Sequence, residues 1–368
     1  SVLGLYDGDR LKNPVMEGEA SSFGTIDKKI RSGLRYAKNV ALVTNTVISP
    51  SLATAIDELK ASLGEGKVEH IQYDAVSYSA IRAAHKESFG LLIPSMDPED
   101  TTDRDGIIPS YDFSSAKTIV GIGADFLNSW LMPTVFAGQY ASRRNPDGDW
   151  MSQHFQFESM MSITGSNADY RAMIKPSEQA NVLAYLLKEF GVSTSVSANL
   201  SEEVKAIANK AAKALKKSKD ESLVVCDSNN KSVQMLVNKL NHVLGAYSKT
   251  INVNDPINMF RSEDEKMDKF VKSVISGKGR PDAVVFMGVN PVYTLSNGAD
   301  FAKGLEKIKT TVAVSSHADE TASKCKFIAP SHHGLEAWVD YAVTNSHYAI
   351  AQPTIRPLHN TASTLESV

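Results

Sequence analysis

Apolar and polar positions along the chain switch repeatedly between two periods. Ile26, Ile30 and Leu34 recur at helical spacing, and the run NVALVT (39–44) after them reads as a buried strand. Ser49 before Pro50 is an N-cap followed by a proline at the first helical position, so a helix is predicted through Leu52, Ile56, Leu59 and Leu63, stopping at Gly64. VEHIQYD (68–74) predicts a strand and SYSAIRAAHKESF (77–89) a helix. Further strands are expected at 117–123, 153–159, 223–227, 282–288 and 310–316. Helices are expected at 177–189, 201–217, 231–244 and 294–306, with one interrupted at Pro133. Strands alternating with helices over this length predict an α/β fold of parallel sheets covered on both faces.

Two turns repeat one pattern. VGIGADFLNSW (120–130) reads as a strand breaking onto a glycine and then starting a helix. VVFMGVNPVYTL (284–295) does the same, with Gly288 matching Gly123 and Asn290 matching Asp125. In open α/β proteins such turns bring bare backbone and a helix N-terminus to a phosphate. The spacing alone also suits a tight structural turn, because GIGADF lacks the third glycine of a dinucleotide fingerprint and MGVNP has only one. Glu158, at a strand end, could accept from ribose hydroxyls or guanine nitrogens, or could simply face water.

Other candidates are weaker. Five acids between Asp97 and Asp105 oppose Arg104 alone, and Asp103-Arg-Asp105-Gly106 lacks the remaining spacing of a calcium loop, so a solvated loop is expected. His332 and Glu336 would share one face if their segment were helical and, with His333, could approach a metal, but no third ligand follows at a recognised spacing. A polar loop is the default there. The lysine-rich helix 201–217 reads as a solvated face. There is no Gly-x-Ser-x-Gly elbow and no Walker loop.

Length and composition then bound the reading. A chain of 368 residues suggests about two domains, and 42% hydrophobic with 22% charged residues is ordinary for a globular protein. A net charge of −3 offers no footing for nucleic acid. No apolar run approaches the roughly 20 residues that span a bilayer, so no direct membrane span is expected. The two cysteines, Cys226 and Cys325, cannot hold an iron–sulfur cluster alone, since such clusters take about four thiolates. Two buried free thiols are expected instead of a disulfide.

The succession DFSSAKTIVGIGADFLNSWL (112–131), MSITGSNADYRAMIKPSEQANVLAYLL (161–187), DETASKCKFIAPSHHGLEAW (319–338) and QPTIRPLHNT (352–361) resembles the molybdopterin oxidoreductase family over nearly the whole chain. More narrowly it resembles the large iron–sulfur subunit of alternative complex III, a bacterial quinol-oxidising membrane complex. The resemblance implies two doubly wound, Rossmann-like α/β domains, each gripping one guanine dinucleotide of a paired pterin cofactor. It implies a first domain of residues 1–75 and 219–345, an inserted domain of 76–218, and a tail, 346–368, leading to a further C-terminal region. It also implies other subunits of a membrane respiratory complex as partners, together with further domains of the same chain. Iron–sulfur clusters would belong to those further parts, and the site would lie on the periplasmic side.

Carried over position by position, the cofactor-facing residues would be Gly121, Gly123, Asp125, Glu158 and Gln179 in one domain. In the other they would be Asp227 within Cys226–Ser228, Gly288, Asn290 and Ser315. The departures point one way. Gln179 stands where cofactor-binding members tend to have an acid, and an amide cannot make a carboxylate's paired ionic hydrogen bonds to guanine. Cys226-Asp227-Ser228 replaces a glycine-rich turn, so side chains would crowd a pyrophosphate and Asp227 would repel it. Near HIQYDAVSYS (70–79), where a metal ligand is expected, there is no cysteine, although Asp74 or Ser77 could ligate in principle. The expectation is a scaffold that keeps the fold without a cofactor. Molybdopterin guanine dinucleotide is expected only if the chain is instead part of an active bis-pterin oxidoreductase. A freestanding nucleotide-binding protein is the third reading.

Overall fold

The computed structural model describes residues 2–88 and 106–368. The acids from Asp97 to Asp105, and Phe89 at the end of the expected helix, lie outside the described residues. The chain folds as two compact units, one of Ser1–Ser77 with Asn258–Val368 and one of Tyr78–Ile257. In chain order the first unit begins with β1 (Val15–Met16), β2 (Glu19–Ala20), β3 (Val40–Thr44) and β4 (Val68–Gln72). The second is built from β5 (Ser110–Tyr111), β6 (Thr118–Ile122), β7 (Gln153–Glu158), β8 (Tyr170–Met173), β9 (Ser222–Cys226) and β10 (Ile251–Asn252). The chain then returns to the first with β11 (Ala283–Met287), β12 (Thr310–Ser315), β13 (Phe327–Pro330), β14 (Val339–Ala342) and β15 (Tyr348–Ala351).

The first unit is a seven-stranded sheet in the order β2-β1-β13-β12-β11-β3-β4. Strands β13 through β4 run parallel, and β1 and β2 close one edge antiparallel. Strand β11 sits inside, so AVVFM is buried at every position. Val285 and Met287 meet Ile26, Leu34 and Ile56 on one face, and Val284 and Phe286 meet Phe270, Val274 and Phe301 on the other. The helix Pro50–Leu63 begins as the sequence predicts: Ser49 Oγ accepts from Leu52 N at 3.0 Å, and Gly64 ends it at φ 113°.

The second unit is a four-stranded parallel sheet in the order β8-β7-β6-β9. Phe155 and Phe157 of β7 pack with Val182, Leu183 and Leu186 of the helix Gln179–Glu189, each phenyl ring contributing about 2–3 kcal/mol through burial. Aromatic rings gather separately, with Phe113 stacked on Phe126 at 4.2 Å and Phe136 tilted against Phe113 at 5.0 Å.

The fold class is the expected one: Rossmann-like α/β units with mostly parallel sheets. The boundaries are not. Residues 219–257 belong to the second unit, because β9 pairs in register with β6 from Thr118↔Ser222 to Ile122↔Cys226. Residues 346–368 are no separate tail. They supply β15 to the first unit, Ala362 N donates to Pro330 O at 3.0 Å, and Val368 packs on the core. Nor does a helix precede Pro133. The Asp125 carbonyl accepts from Asn128, Ser129 and Trp130 amides, Leu131 turns left-handed at φ 52°, and the helix starts at Pro133 itself. No helix among the described residues is long and apolar enough to cross a membrane.

Candidate functional site

Gly123 ends β6 in the second unit with φ 74°, a left-handed conformation that favours glycine. Its amide is already spent, donating to Phe157 O at 2.8 Å. The space beside it is filled as well. A Cβ built on Gly123 would overlap Asp227 Oδ1 and lie 2.7 Å from Gln179 Nε2. Those two side chains meet each other, Gln179 Nε2 donating to Asp227 Oδ1 at 2.8 Å. Crowding around Asp227 pushes its carboxyl above the usual carboxylate range, with the Gln179 hydrogen bond opposing, and solvent at its exposed outer side screens that push. No helix begins in the chain between Gly123 and Pro133; the helix Gln179–Glu189 instead brings its first residue, Gln179, to this turn. In this arrangement the Gln179 and Asp227 side chains occupy the space against Gly123.

The neighbouring polar residues serve the protein. Gly121 is a strand residue paired with Gln156, whose amide fills the place of its missing side chain. Asp125 accepts from Thr164 N and Oγ1 at 3.1 and 2.7 Å and from Asn128 Nδ2 at 3.1 Å. Glu158 is buried and accepts from Arg171 Nε at 2.6 Å, Ser162 Oγ at 2.7 Å and Ser162 N at 3.1 Å. Burial alone would raise its pKa, but the Arg171 and Ser162 contacts outweigh that and hold it low.

One element escaped the sequence reading. His154, Gln156 and Glu158 form a polar ladder on one face of β7, with Gln156 3.3 Å from each of the other two and His154 Nδ1 3.2 Å from Tyr140 Oη. Burial pushes His154 down to about 4, so it is neutral at pH 7. The signal was the alternation QHFQFE itself: Phe155 and Phe157 point one way, and three polar residues point the other.

In the first unit, Gly288 ends β11 at φ 66°, and a Cβ there would meet the Asn45 side chain first, its Oδ1 at 3.2 Å. Asn290 accepts from Thr321 N and Oγ1 at 3.1 and 2.7 Å and donates to Glu320 at 2.7 Å. Ser315 Oγ donates to Asp319 at 3.2 Å. Asp74 is held by Thr46 N and Oγ1 at 3.0 and 2.5 Å. Gly121, Gly123, Asp125, Glu158, Gln179 and Asp227 thus share the second unit, and Gly288, Asn290 and Ser315 share the first.

The His332–Glu336 segment is a turn, so the shared helical face does not exist. Glu336 instead pairs with buried Arg10 at 2.7 Å and accepts from His333 N and Leu358 N. Burial opposes its ionisation, but those donors outweigh it and hold the carboxyl at about 2. Among the described residues no group of His, Cys, Asp and Glu converges to hold a metal. Cys226 and Cys325 are free and buried, and burial pushes each thiol up to about 12.

No family model matches the chain. The menaquinone reductase, molybdopterin-binding-like subunit of Nitratidesulfovibrio vulgaris strain Hildenborough is 25% identical over 361 residues, covering 84% of this chain and 52% of that protein. The chain therefore spans about half the length of this curated relative. Among solved structures, acetylene hydratase from Pelobacter acetylenicus matches with a TM-score of 0.68 at 12% identity, over 98% of this chain and 60% of that one. The formyltransferase/hydrolase complex from Methylorubrum extorquens, solved with methylofuran, matches with a TM-score of 0.57 at 10% identity, over 95% of both chains. The chain is thus similar in sequence to a molybdopterin-binding-like subunit and shares its fold with acetylene hydratase.

Proposed function

We propose that this chain is a molybdopterin-oxidoreductase-like module of a membrane-bound, quinone-linked respiratory assembly, serving as a scaffold that holds no pterin itself. One observation carries the scaffold reading: the Gln179–Asp227 hydrogen bond lies across Gly123, where a dinucleotide phosphate would have to enter. The similarity to a menaquinone reductase subunit supports the respiratory setting. The form suggested by the sequence resemblance is a quinol-oxidising complex like alternative complex III, with this module on the periplasmic side and iron–sulfur clusters in other parts of the subunit.

The test is analysis of the intact assembly for molybdenum, for the fluorescence of oxidised pterin and for guanine nucleotide released on denaturation. The expected result is none of the three in stoichiometric amount from this subunit. Stoichiometric molybdenum with pterin would replace the scaffold by an active bis-pterin oxidoreductase. Micromolar binding of guanosine diphosphate by the chain alone would replace it by a freestanding nucleotide-binding protein.

A further inference from the structure

The hairpin β14–β15 treats its two strands unequally. Strand β14 is tied down: Ala342 N donates to Ile48 O at 2.7 Å, and the Asp340 carboxylate accepts from Ser49 Oγ and from Ser51 N and Oγ. Strand β15 has β14 on one side, and no strand among the described residues pairs with its other edge. Tyr348, Ala349 and Ile350 are exposed in succession, so both faces of the strand meet solvent. Edge strands are ordinarily guarded by charge, proline or a bulge, and Tyr348-Ala-Ile-Ala351 has none of these.

The register Asp340↔Ile350 and Ala342↔Tyr348 puts Tyr348 and Ile350 on one face, and Trp338 immediately precedes β14; the three are 71%, 74% and 64% exposed. Asp340 is the one acid between residues 337 and 365, and it is spent on Ser49 and Ser51. Arg356 is exposed and has no ion pair among the described residues. Its segment is fastened beside Trp338 by Thr354 N to Leu335 O and Leu358 N to Glu336.

We propose that the outer edge of β15 receives an extended strand of a partner polypeptide, apolar against Trp338, Tyr348 and Ile350 and acidic beside Arg356. This rests on reading the chain as a module of a larger assembly. Backbone hydrogen bonds along the edge supply affinity, and the exposed side chains supply selectivity. A second copy pairing through the same strand would bring Tyr348-Ala-Ile-Ala351, which carries no acid, to Arg356. A lipid surface would leave the outward amides and carbonyls of β15 unpaired.

Hydrogen exchange in the assembly and in the chain alone tests this. The amides of Tyr348–Ala351 are expected to exchange at least ~10-fold more slowly in the assembly, with β11 equally protected in both. Ile350→Lys, which adds the missing guard charge, is expected to weaken incorporation at least ~10-fold while leaving β11 exchange unchanged. An assembly that contains the chain but leaves 348–351 as fast as in isolation overturns this inference and leaves the module reading intact. Protection of the isolated chain that grows with concentration, or that anionic vesicles confer, also overturns it, in favour of self-pairing or a membrane. A chain that copurifies with no other polypeptide removes both readings.

Discussion

Gly123 and Gly288 stand at matching places, each at the end of a central parallel strand and each left-handed, yet their surroundings differ. Gly123 is pressed by Asp227 and Gln179, side chains from two other elements, whereas Gly288 faces a single flexible asparagine. Backbone conformation alone explains glycine at 288. At 123, packing demands it as well. A glycine turn therefore records the shape of the chain, and whether it still opens onto usable space is decided by residues distant in sequence.

Substitutions can break or sharpen this contrast. The largest loss is expected away from both turns, at the buried Arg10–Glu336 pair of the first unit: Glu336→Ala leaves a guanidinium uncompensated and should cost about 4 kcal/mol in denaturant unfolding. The pair also sets an acid limit. The folded pKa of Glu336 lies below its ordinary 4.5, so its stabilisation is complete above that value and drains away as pH falls toward about 2. Acid unfolding of wild type with no such loss would show that the pair does not hold Glu336 ionised.

Next come the glycines. Gly123→Ala combines left-handed strain with overlap and should cost about 3 kcal/mol, against about 1 kcal/mol for Gly288→Ala. Exchange at β6 and β11 reports each unit separately, and equal losses would erase the contrast. Glu158→Gln weakens the contact to Arg171, which is a quarter exposed, and should cost about 2 kcal/mol. The wild-type pKa here is lowered too, so its advantage should vanish as pH falls below the ordinary carboxylate range. In the first unit, exposed Glu320, which accepts from Asn290, should tolerate Glu320→Gln with no measurable change. Of the substitutions expected to cost stability, Gln179→Ala costs least, about 1 kcal/mol or less, since it removes one partly exposed hydrogen bond. A loss as large as that of Gly123→Ala would mean the bridge is a main support of the turn.

Much of this was legible in the residues. Ser49-Pro50 and Gly64 bounded their helix because caps are local chemistry, and the apolar runs at 39–44 and 282–288 marked buried parallel strands because both faces of such strands are covered. What failed was non-local. No periodicity shows that β9 pairs with β6, and the layout implied by the resemblance puts residues 219–257 with the first unit, whereas that pairing puts them in the second. The expected helix after Gly123 looked sound by composition, but the Asp125 carbonyl and Leu131 stop it before Pro133. At the site, Gln179 and Asp227 were singled out as departures from the pterin-binding pattern. Their hydrogen bond to each other, 48 residues apart in the chain, follows only from the fold.

The two thiols give the molecule a pair of independent clocks. Cys226 reports on the second unit and Cys325 on the first, each shielded from water and held as an unreactive thiol near neutral pH. An alkylating reagent can reach either sulfur only when its surrounding sheet opens, so peptide-resolved labelling rates measure how often each half opens. Two different rates in one sample would mean that the halves open separately, and a shared rate would mean that they open as one.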